Sequence, residues 1–323
     1  MKFNFISKRF GFYSFGIFTS LVAIIALLVL PLNLGIDMTG GVQIEYSFSK
    51  QIDIKAIVEP IALEIKKELL FNNQEAINNI ATYKITGENK FVVEAGFNKL
   101  SKLEGQTLED IKTSFKEKLS KKLGQINGNN VVLTKYVNIG ESFGDYIKKT
   151  AYVTIIITIL AISLYIAWAF RGSIEGFSSF PFAMVTMVSL AHDVLAALGF
   201  YLITSFFFPE FKVDTFFITA MLTVLGYSVS DTIVIMDRIR SNLKQKMTKK
   251  IEFGTLINNS INETLARSLF TSFAVFLTLL AMFFFGPVTI KGFILAMIYG
   301  TVFGTYSSIA IAAPMLYDFS GKK

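Results

Sequence analysis

One short stretch of the chain places ionisable side chains inside an otherwise apolar segment. Residues 226–240 read GYSVSDTIVIMDRIR, so Asp231 lies between two apolar runs and Asp237 follows six residues later. A carboxyl group in such a segment can bind and release a proton, because desolvation favours its neutral form and a nearby cation favours its charged form. The sequence therefore predicts proton chemistry at Asp231.

Helical spacing separates the two carboxylates of this stretch. Thr223, Tyr227 and Asp231 follow one another at intervals of four residues, and Arg238 lies seven residues further on, so these four share a stripe. Asp237 points to another side of the same helix. We predict that Asp237 and Arg238 have a structural role at the edge of this span.

A second candidate, Arg267, begins the apolar segment ARSLFTSF. Arginine stays charged in proteins, so it would act as a fixed cation. A change in its distance from Asp231 would change the proton affinity of that carboxyl group, which is sufficient for a proton switch. Two structural alternatives stay open: Asp231 only hydrogen-bonds neighbouring helices, or Arg267 extends its charge to the headgroup region from the end of its helix.

A third candidate is Asp193, in the apolar segment SLAHDVLAALG. A carboxylate within a membrane is costly and is functional by default, so Asp193 is the next candidate for a proton relay. His192 precedes it and is the only histidine of the chain, which excludes a cluster of histidine metal ligands. The sequence favours a packing role for His192 and predicts no metal site.

The motif GIDMTGG predicts a tight turn where the first apolar segment meets the first strand. Gly35, Gly40 and Gly41 allow positive φ angles and a close approach of two backbones. Asp37 is placed to cap or brace that turn. We expect a structural junction here rather than a contact with substrate.

The elements that must position these side chains are long apolar segments. The chain has 323 residues, of which 52% are hydrophobic and 17% charged, and its mean hydropathy is +0.53. Apolar runs of about 20 residues or more predict membrane-spanning helices. The predicted spans are residues 11–34, 150–170, 177–208, 215–236, 267–285 and 293–317.

The distribution of charge predicts how these spans are oriented. Segment 35–147 has 14 Lys and no Arg against 15 Asp and Glu, a net charge of −1, whereas the whole chain carries +7. The basic excess lies in segments 1–10, 237–266 and 318–323, which predicts that both termini are cytoplasmic. We expect the basic connector 237–266 to form a helix on the inner membrane surface, or alternatively a solvated link.

Segment 35–147 has the character of a folded extracytoplasmic domain. Alternating apolar residues predict strands at GVQIEYSF, AINNIATYKIT, KFVVEAGF and NNVVLTKYVNIG, and helical spacing predicts two helices between them. Pro60 must kink or divide the first helix. The order β-α-β-β-α-β predicts an α+β domain of the ferredoxin-like arrangement. The fold class is therefore an α-helical polytopic membrane protein with six spans and one inserted domain.

Several function classes lack their sequence signals. The chain has no cysteine, no phosphate-binding GxxxxGK[ST] loop, no HExxH zinc helix and no GxSxG nucleophile elbow. We therefore predict no enzyme activity, no catalytic residue and no cofactor. The basic excess lies beside the spans, which favours control of membrane topology over nucleic-acid binding.

The motifs GIDMTGG, AHDV, GYSVSDTIVIMDRIRSN, ARSLFTS and GTYSSIAIAAPM, in this order and spacing, resemble the SecF family of bacterial protein-export membrane subunits. That family is part of the resistance-nodulation-division superfamily, and the resemblance covers essentially the whole chain. The family more often has Asn where this chain has Ser230. This difference at position 230 leaves the aspartate of the motif, Asp231, unchanged.

The resemblance implies a function, a location and a set of partners. It implies a heterodimer with SecD in the bacterial inner membrane, association with the SecYEG channel and YajC, and contact with membrane lipids and the translocating polypeptide. The pair would use the proton-motive force to promote late stages of protein export. In the family, residues matching Asp231 and Arg267 are implicated in proton conduction.

Two other functions stay open. One is half of a proton-coupled exporter of the same superfamily, which would carry small molecules or lipids; such exporters usually have both halves and two large outer domains in one chain. The other is an assembly scaffold that conducts no protons, in which the buried charges only hold helices together.

Overall fold

The computed structural model describes residues 3–50, 52–71, 74–85, 89–98, 108–126, 129–171, 178–208, 210–246 and 252–319. The chain divides into two compact units. The membrane unit consists of Met1–Asn33 and Tyr152–Lys323, and the α+β unit consists of Leu34–Ala151.

The described residues form α-helices in both units. In chain order they are α1 (Arg9–Val29), α2 (Ile36–Thr39), α3 (Glu59–Glu68), α4 (Leu108–Gly124), α5 (Glu141–Ala169), α6 (Phe180–Phe207), α7 (Thr215–Lys246), α8 (Phe253–Phe285), α9 (Lys291–Ser307) and α10 (Ala313–Phe319).

Within the described part of the chain, six helical segments are long and apolar enough to cross a membrane. They are α1, α5, α6, α7, α8 and the continuous segment from α9 to α10. Large apolar side chains such as Leu28, Trp168 and Phe285 are exposed, as expected for helices that face lipid rather than water. The predicted six-span architecture is confirmed.

The last span changes its helical geometry near its end. A single π-helical turn, Ser308–Ala312, separates α9 from α10 and ends two residues before Pro314. Proline has no backbone N–H to donate within a helix, and a local π turn is one way to accommodate that loss. The turn places Ser308 beside α7, where its hydroxyl lies 3.0 Å from Thr232 Oγ1.

The prediction of a separate surface helix within segment 237–266 is wrong. Residues up to Lys246 continue α7, and residues from Phe253 onward belong to α8, which runs without a break for 33 residues. The two helices hold each other through polar contacts: Asn242 Nδ2 donates to Ser260 Oγ over 2.8 Å. Hydropathy marks the apolar part of a helix and does not detect polar helical extensions beyond it.

Glycine residues allow the spanning helices to approach closely. A Cβ added at Gly199 of α6 would lie 2.3 Å from the Cα of Ala23 in α1. A Cβ added at Gly300 of α9 would lie 2.2 Å from Val224 Cγ2 in α7. Small residues at such crossings are the usual means of close helix packing in membranes.

The α+β unit is built on an antiparallel sheet. Its strands are β1 (Gly41–Phe48), β2 (Leu70–Phe71), β3 (Gln74–Glu75), β4 (Ile77–Ile85), β5 (Lys90–Phe97) and β6 (Val131–Ile139). The main sheet has the order β4-β5-β1-β6, with Gln43 of β1 opposite Glu94 of β5 and Val137 of β6. This is the strand order of a ferredoxin-like fold, so the predicted arrangement is confirmed; the small β2–β3 hairpin was not predicted.

Helices α3 and α4 contribute to one buried core with the main sheet. The core contains Ile44, Ile65, Phe91, Phe115 and Leu119, all with no exposed surface. Alternate residues of β1 and β5 point to this core because the side-chain period of a strand is two.

Pro60 lies where the helical segment changes from a π-helical turn to an α-helix, so the segment changes its geometry there without being divided. A π-helical turn, Ile54–Val58, precedes α3, and Pro60 lies in the first turn of α3. The first turn tolerates proline because its N–H groups have no partner within the helix.

Candidate functional site

Asp231 lies in α7 at a point where α7, α8 and α9 meet. Its side chain is only 8% exposed. The hydroxyl of Ser272 in α8 donates a hydrogen bond of 3.2 Å to Asp231 Oδ2. Burial in a membrane span makes the charged form of a carboxyl group costly, by about 2.5–3.5 kcal/mol on insertion scales. One neutral hydroxyl donor offsets only part of that cost.

Ser272 is the centre of a hydroxyl network that reaches three helices. Tyr227 of α7 donates to Ser272 Oγ over 3.0 Å, and Thr305 Oγ1 of α9 lies 2.7 Å from the same atom. A serine hydroxyl has one proton and two acceptor lone pairs. Thr305 Oγ1 also donates to the Thr301 carbonyl oxygen over 2.7 Å, so the Ser272 hydroxyl is shared between Asp231, Tyr227 and Thr305.

Ser268 is one helical turn before Ser272 and is completely buried. Its hydroxyl is close to Asp231 but makes no hydrogen bond within the described residues. A buried hydroxyl without a partner costs free energy of about 1–3 kcal/mol. A small shift of the Asp231 side chain towards Ser268 would therefore give the carboxylate a second hydrogen-bond donor.

Arg267 lies on the exposed side of α8. Among the ion pairs of the described residues, none within 4.0 Å joins Arg267 to Asp231, although the two charges interact over a longer distance. The structure thus brings Asp231 together with Ser272 and leaves Arg267 outside direct contact. The guanidinium acts on this carboxyl group as a nearby charge, not as a hydrogen-bond donor.

Asp193 forms a second site between α6 and α7. It has no exposed surface, and Ser228 of α7 donates a hydrogen bond of 2.5 Å to its Oδ2 atom. The neighbouring His192 places Nδ1 at 3.2 Å from Asp193 Oδ1. Each carboxylate oxygen therefore has its own partner.

His192 connects this second site to α1. Thr19 Oγ1 lies 3.2 Å from His192 Nε2. The imidazole ring also packs against the rings of Phe303 and Tyr306, with centroids 6.4 Å and 6.2 Å away. The predicted packing role of His192 therefore holds only in part, because both ring nitrogens are engaged in polar contacts.

Helix α7 contributes to both carboxylate sites. Ser228 faces Asp193 on α6, whereas Asp231, three residues later, faces Ser272 on α8. Residues three apart on a helix differ in direction by about 60°. A single rigid helix therefore contacts both acidic sites, so a rotation of α7 would alter them together.

Asp237 and Arg238 occupy the polar extension of α7. Asp237 forms an ion pair with Arg240, and Arg238 Nε donates to Glu263 Oε2 of α8 over 2.6 Å. The Arg238–Glu263 pair fastens the extension of α7 to that of α8, whereas the Asp237–Arg240 pair lies within α7. They are consistent with the structural role predicted for both residues.

The GIDMTGG motif folds into the short helix α2 and a turn into β1. Gly40 and Gly41 have φ angles of 73° and 141°, as predicted, but Gly35 has φ −67° and uses no special freedom. A Cβ on Gly41 would lie 2.4 Å from the Ala95 carbonyl oxygen. Asp37 lies in the first turn of α2, where a carboxylate favours the helix dipole.

Sequence reasoning missed several partners of the two carboxylates. Ser228, Thr305 and Thr19 were not singled out, because serine and threonine are common in membrane helices and their spacing alone names no partner. Within the described part of the chain, no group of three or more His, Cys, Asp or Glu side chains is placed to hold a metal ion.

These features define a class of protein: a six-span membrane protein with an α+β domain inserted after its first span and two buried, hydroxyl-bonded carboxylates in its bundle. Residues 118–322 match the family model for the C-terminal region of the protein export membrane proteins SecD and SecF. Residues 25–52 match the SecD/SecF GG motif.

Curated relatives identify the branch of that family. The chain is 34% identical to the protein translocase subunit SecF of Thermobaculum terrenum, over 97% of this chain and 93% of the relative. It is 32% identical to SecF of Rickettsia prowazekii, over 100% of this chain and 93% of the relative. The chain belongs to the SecF family of protein-export membrane subunits.

Solved structures share the fold. SecDF of Thermus thermophilus, described as a translocon-associated membrane protein, matches with a TM-score of 0.76 at 24% identity. The match covers 100% of this chain and 39% of the SecDF chain. A SecDF structure in a super-membrane-facing form matches with a TM-score of 0.64 at 23% identity. Membership in this family favours a role in protein export over the export of small molecules or lipids.

Proposed function

We infer that this protein couples proton movement across the bacterial inner membrane to the late stages of protein export, as a partner of SecD. Asp231 is the group that binds and releases the proton, Arg267 is the fixed charge that biases it, and Asp193 is a second acidic group of the relay. The single observation that carries this proposal is the position of Asp231, buried between three helices with one hydroxyl donor and no close cation.

Such an environment suits a group that changes its charge. A carboxylate in a permanent ion pair with arginine stays charged, and a carboxyl group in a purely apolar site stays neutral. Asp231 has an intermediate environment, with Ser272 as a donor and Arg267 at longer range. A modest movement of α8 relative to α7 would change the balance between the two forms. Each proton that crosses with the membrane potential supplies about 2.3 kcal/mol per 100 mV.

An exposed polar stripe supports the pairing with SecD. Arg267, Thr271 and Thr278 of α8 and Thr223 and Ser230 of α7 are exposed on the isolated chain. Polar groups and a fixed charge facing lipid are unfavourable, so a partner with its own polar surface is expected to cover them. The relay then lies at the seam between the two subunits. Association with SecYEG and YajC, and contact with the translocating polypeptide, are further parts of the proposal.

The proposed topology follows from charge. Lys8, Arg9, Arg238 and Arg240 lie at one end of the membrane unit, and we place this end and both termini in the cytoplasm. The α+β domain then lies on the outer side, where it can contact the emerging polypeptide. We propose no enzymatic activity and no cofactor.

The test is export in cells whose only copy of this chain carries Asp231→Asn. The fraction of a pulse-labelled secreted protein that leaves the cytoplasm is measured, and membrane abundance is checked by immunoblotting. Asparagine keeps nearly the same shape and can still accept from Ser272, but it cannot bind a proton. We expect export to fall to the level of the deletion strain at normal abundance.

The matched control is Asp237→Asn, because Asp237 is six residues further along the same helix and pairs with Arg240 near the helix end. Cells with Asp237→Asn should export the labelled protein about as well as cells with the unchanged chain. Normal export with Asp231→Asn would reject the proton switch and favour the scaffold function, in which the buried carboxylate only holds helices together.

A further inference from the structure

Four polar side chains form an unbroken buried line from α1 to α7. Thr19 of α1 contacts Nε2 of His192 over 3.2 Å, Nδ1 of His192 contacts Asp193 Oδ1 over 3.2 Å, and Ser228 of α7 contacts Asp193 Oδ2 over 2.5 Å. None of the four side chains is more than 7% exposed. The line crosses three helices and lies apart from the hydroxyl network around Ser272.

The hydrogen-bond roles along this line can be assigned by counting protons. The Thr19 hydroxyl has one proton, which it donates to the Gly16 carbonyl oxygen over 2.9 Å. Thr19 must then act as an acceptor towards His192, so Nε2 of the ring carries a proton. At the other end, the Ser228 hydroxyl donates its proton to Asp193.

With Nε2 protonated, the contact between His192 Nδ1 and Asp193 Oδ1 requires one more proton. Without it, a nitrogen lone pair would face a carboxylate oxygen in a buried site, which is unfavourable. The proton can reside on the ring, giving an imidazolium and a carboxylate, or on the oxygen, giving a neutral ring and a carboxylic acid. Both arrangements make the pair neutral overall, which lowers the cost of burial.

We propose that His192 and Asp193 share one stored proton, and that Thr19 on α1 stabilises this state by accepting from Nε2. The inference deepens the proton-linked function proposed above by adding a second site with a defined number of protons. If α1 moves away from His192, Nε2 loses its acceptor. The pair then favours a ring protonated only on Nδ1 beside an ionised Asp193, and its extra proton passes to water.

The surroundings leave few other groups to compete for this proton. The ring of Tyr306 is 6.2 Å from the imidazole ring, and its hydroxyl donates to the Phe12 carbonyl oxygen over 2.5 Å. Phe303 covers another side of the ring. Among the residues that the structure describes, Asp193 and Tyr306 are thus the titratable groups that face His192, and Tyr306 is already engaged.

The single histidine of the chain allows a direct test. The full chain is labelled with ¹⁵N-histidine, purified through a tag without histidine and reconstituted in lipid bilayers, so that solid-state NMR reports the two nitrogens of His192 alone. We expect a protonated Nε2. An unprotonated Nε2, with the proton on Nδ1, would overturn the proposal.

If Nδ1 is also protonated, the pair holds its extra proton on the ring. If Nδ1 is bare, infrared spectra must show a protonated carboxyl band that disappears in Asp193→Asn. A bare Nδ1 without that band would leave no shared proton and would also reject the inference.

Two variants test the role of α1. Thr19→Val keeps the shape of the side chain but removes the acceptor, and we expect the Nε2 signal to move to its unprotonated position. Thr271→Val, on the exposed side of α8, should leave both signals unchanged. A protonated Nε2 in Thr19→Val would refute the role of Thr19. None of these spectroscopic measurements depends on export. A failure of the proton switch at Asp231 can therefore be distinguished from a failure of the shared proton at His192 and Asp193.

Discussion

The Ser228 hydroxyl and the Asp193 carboxylate are joined by a hydrogen bond of 2.5 Å between α7 and α6, in the fully buried interior of the bundle. Three residues further along α7, Asp231 faces a different neighbour, α8. Helix α7 thus carries one of these two buried carboxylates and contacts the other. We expect changes on α7 to affect the two sites together.

Removal of the Ser228 hydroxyl should destabilise the bundle. In Ser228→Ala, Asp193 Oδ2 loses its donor while it remains buried, which costs about 1–3 kcal/mol and more if the carboxylate stays charged. Thermal unfolding of the purified chain in detergent measures the effect. Ser230→Ala, at an exposed position of the same helix, is the control and should leave the unfolding temperature unchanged. Equal shifts for the two variants would contradict the assignment.

A methyl group at Gly300 should disrupt the contact between α9 and α7. The added Cβ would lie 2.2 Å from Val224 Cγ2, so Gly300→Ala forces the helices apart at a cost of about 1–3 kcal/mol. The matched control is Gly226→Ala, because an added Cβ there meets no atom within 4 Å.

That control should be neutral or stabilising, since alanine is the better helix former. Combining Gly300→Ala with Val224→Ala should recover part of the loss by removing the clashing atoms. Unfolding by increasing denaturing detergent, followed by circular dichroism, compares the four proteins. A stable Gly300→Ala would show that the close approach is not needed.

The α+β unit should lose stability in acid through Glu109. Lys112 Nζ donates to Glu109 Oε1 over 3.0 Å and to Asn138 over 2.8 Å, which joins α4 to β6. The hydrogen bond from Lys112 is the main cause that lowers the pKa of Glu109. A lowered pKa in the folded state stabilises the fold above the unfolded pKa, about 4.3, and this stabilisation is lost as the pH falls through the folded value.

Amide hydrogen exchange of residues 108–124 in the full chain, measured between neutral and acidic pH, checks this expectation. Glu109→Gln should exchange faster at neutral pH and show a weaker acid dependence than the unchanged chain. Glu117→Gln, at an exposed position of the same helix, should retain the original profile. An unaltered profile in Glu109→Gln would mean that another group causes the acid loss.

Export should depend more on the charge of Arg267 than on the shape of its side chain. No ion pair within 4.0 Å joins it to Asp231, so its effect on the carboxylate operates over distance. Arg267→Lys keeps the charge, so this variant should retain most of its export activity. Export by Arg267→Gln should fall to the level of the deletion strain. Pulse-labelled export at equal membrane abundance measures both. If lysine fails as badly as glutamine, the forked geometry of the guanidinium is required for a contact outside this chain.

Much of the architecture could be predicted from local sequence features. A period of two in apolar residues marked the strands, and β1 has the predicted limits 41–48. Long apolar runs marked six spans because a bilayer requires uninterrupted apolar helices of about 20 residues. The sequence did not reveal how far α7 and α8 extend beyond their apolar parts, because contacts between the two helices, such as that of Asn242 with Ser260, stabilise these extensions.

The sequence by itself determined which ionisable groups of the spans are candidates for the site: Asp231, Asp193 and Arg267 stand out because charged residues are rare and costly within apolar segments. Only the tertiary structure decided their partners. Ser272, Ser228 and Thr19 are ordinary hydroxyl residues whose importance depends on the rotation and crossing of separate helices. Hydrophobicity is a property of each residue, whereas a hydrogen bond between helices is a property of their packing, so the partners emerge only when the bundle is assembled.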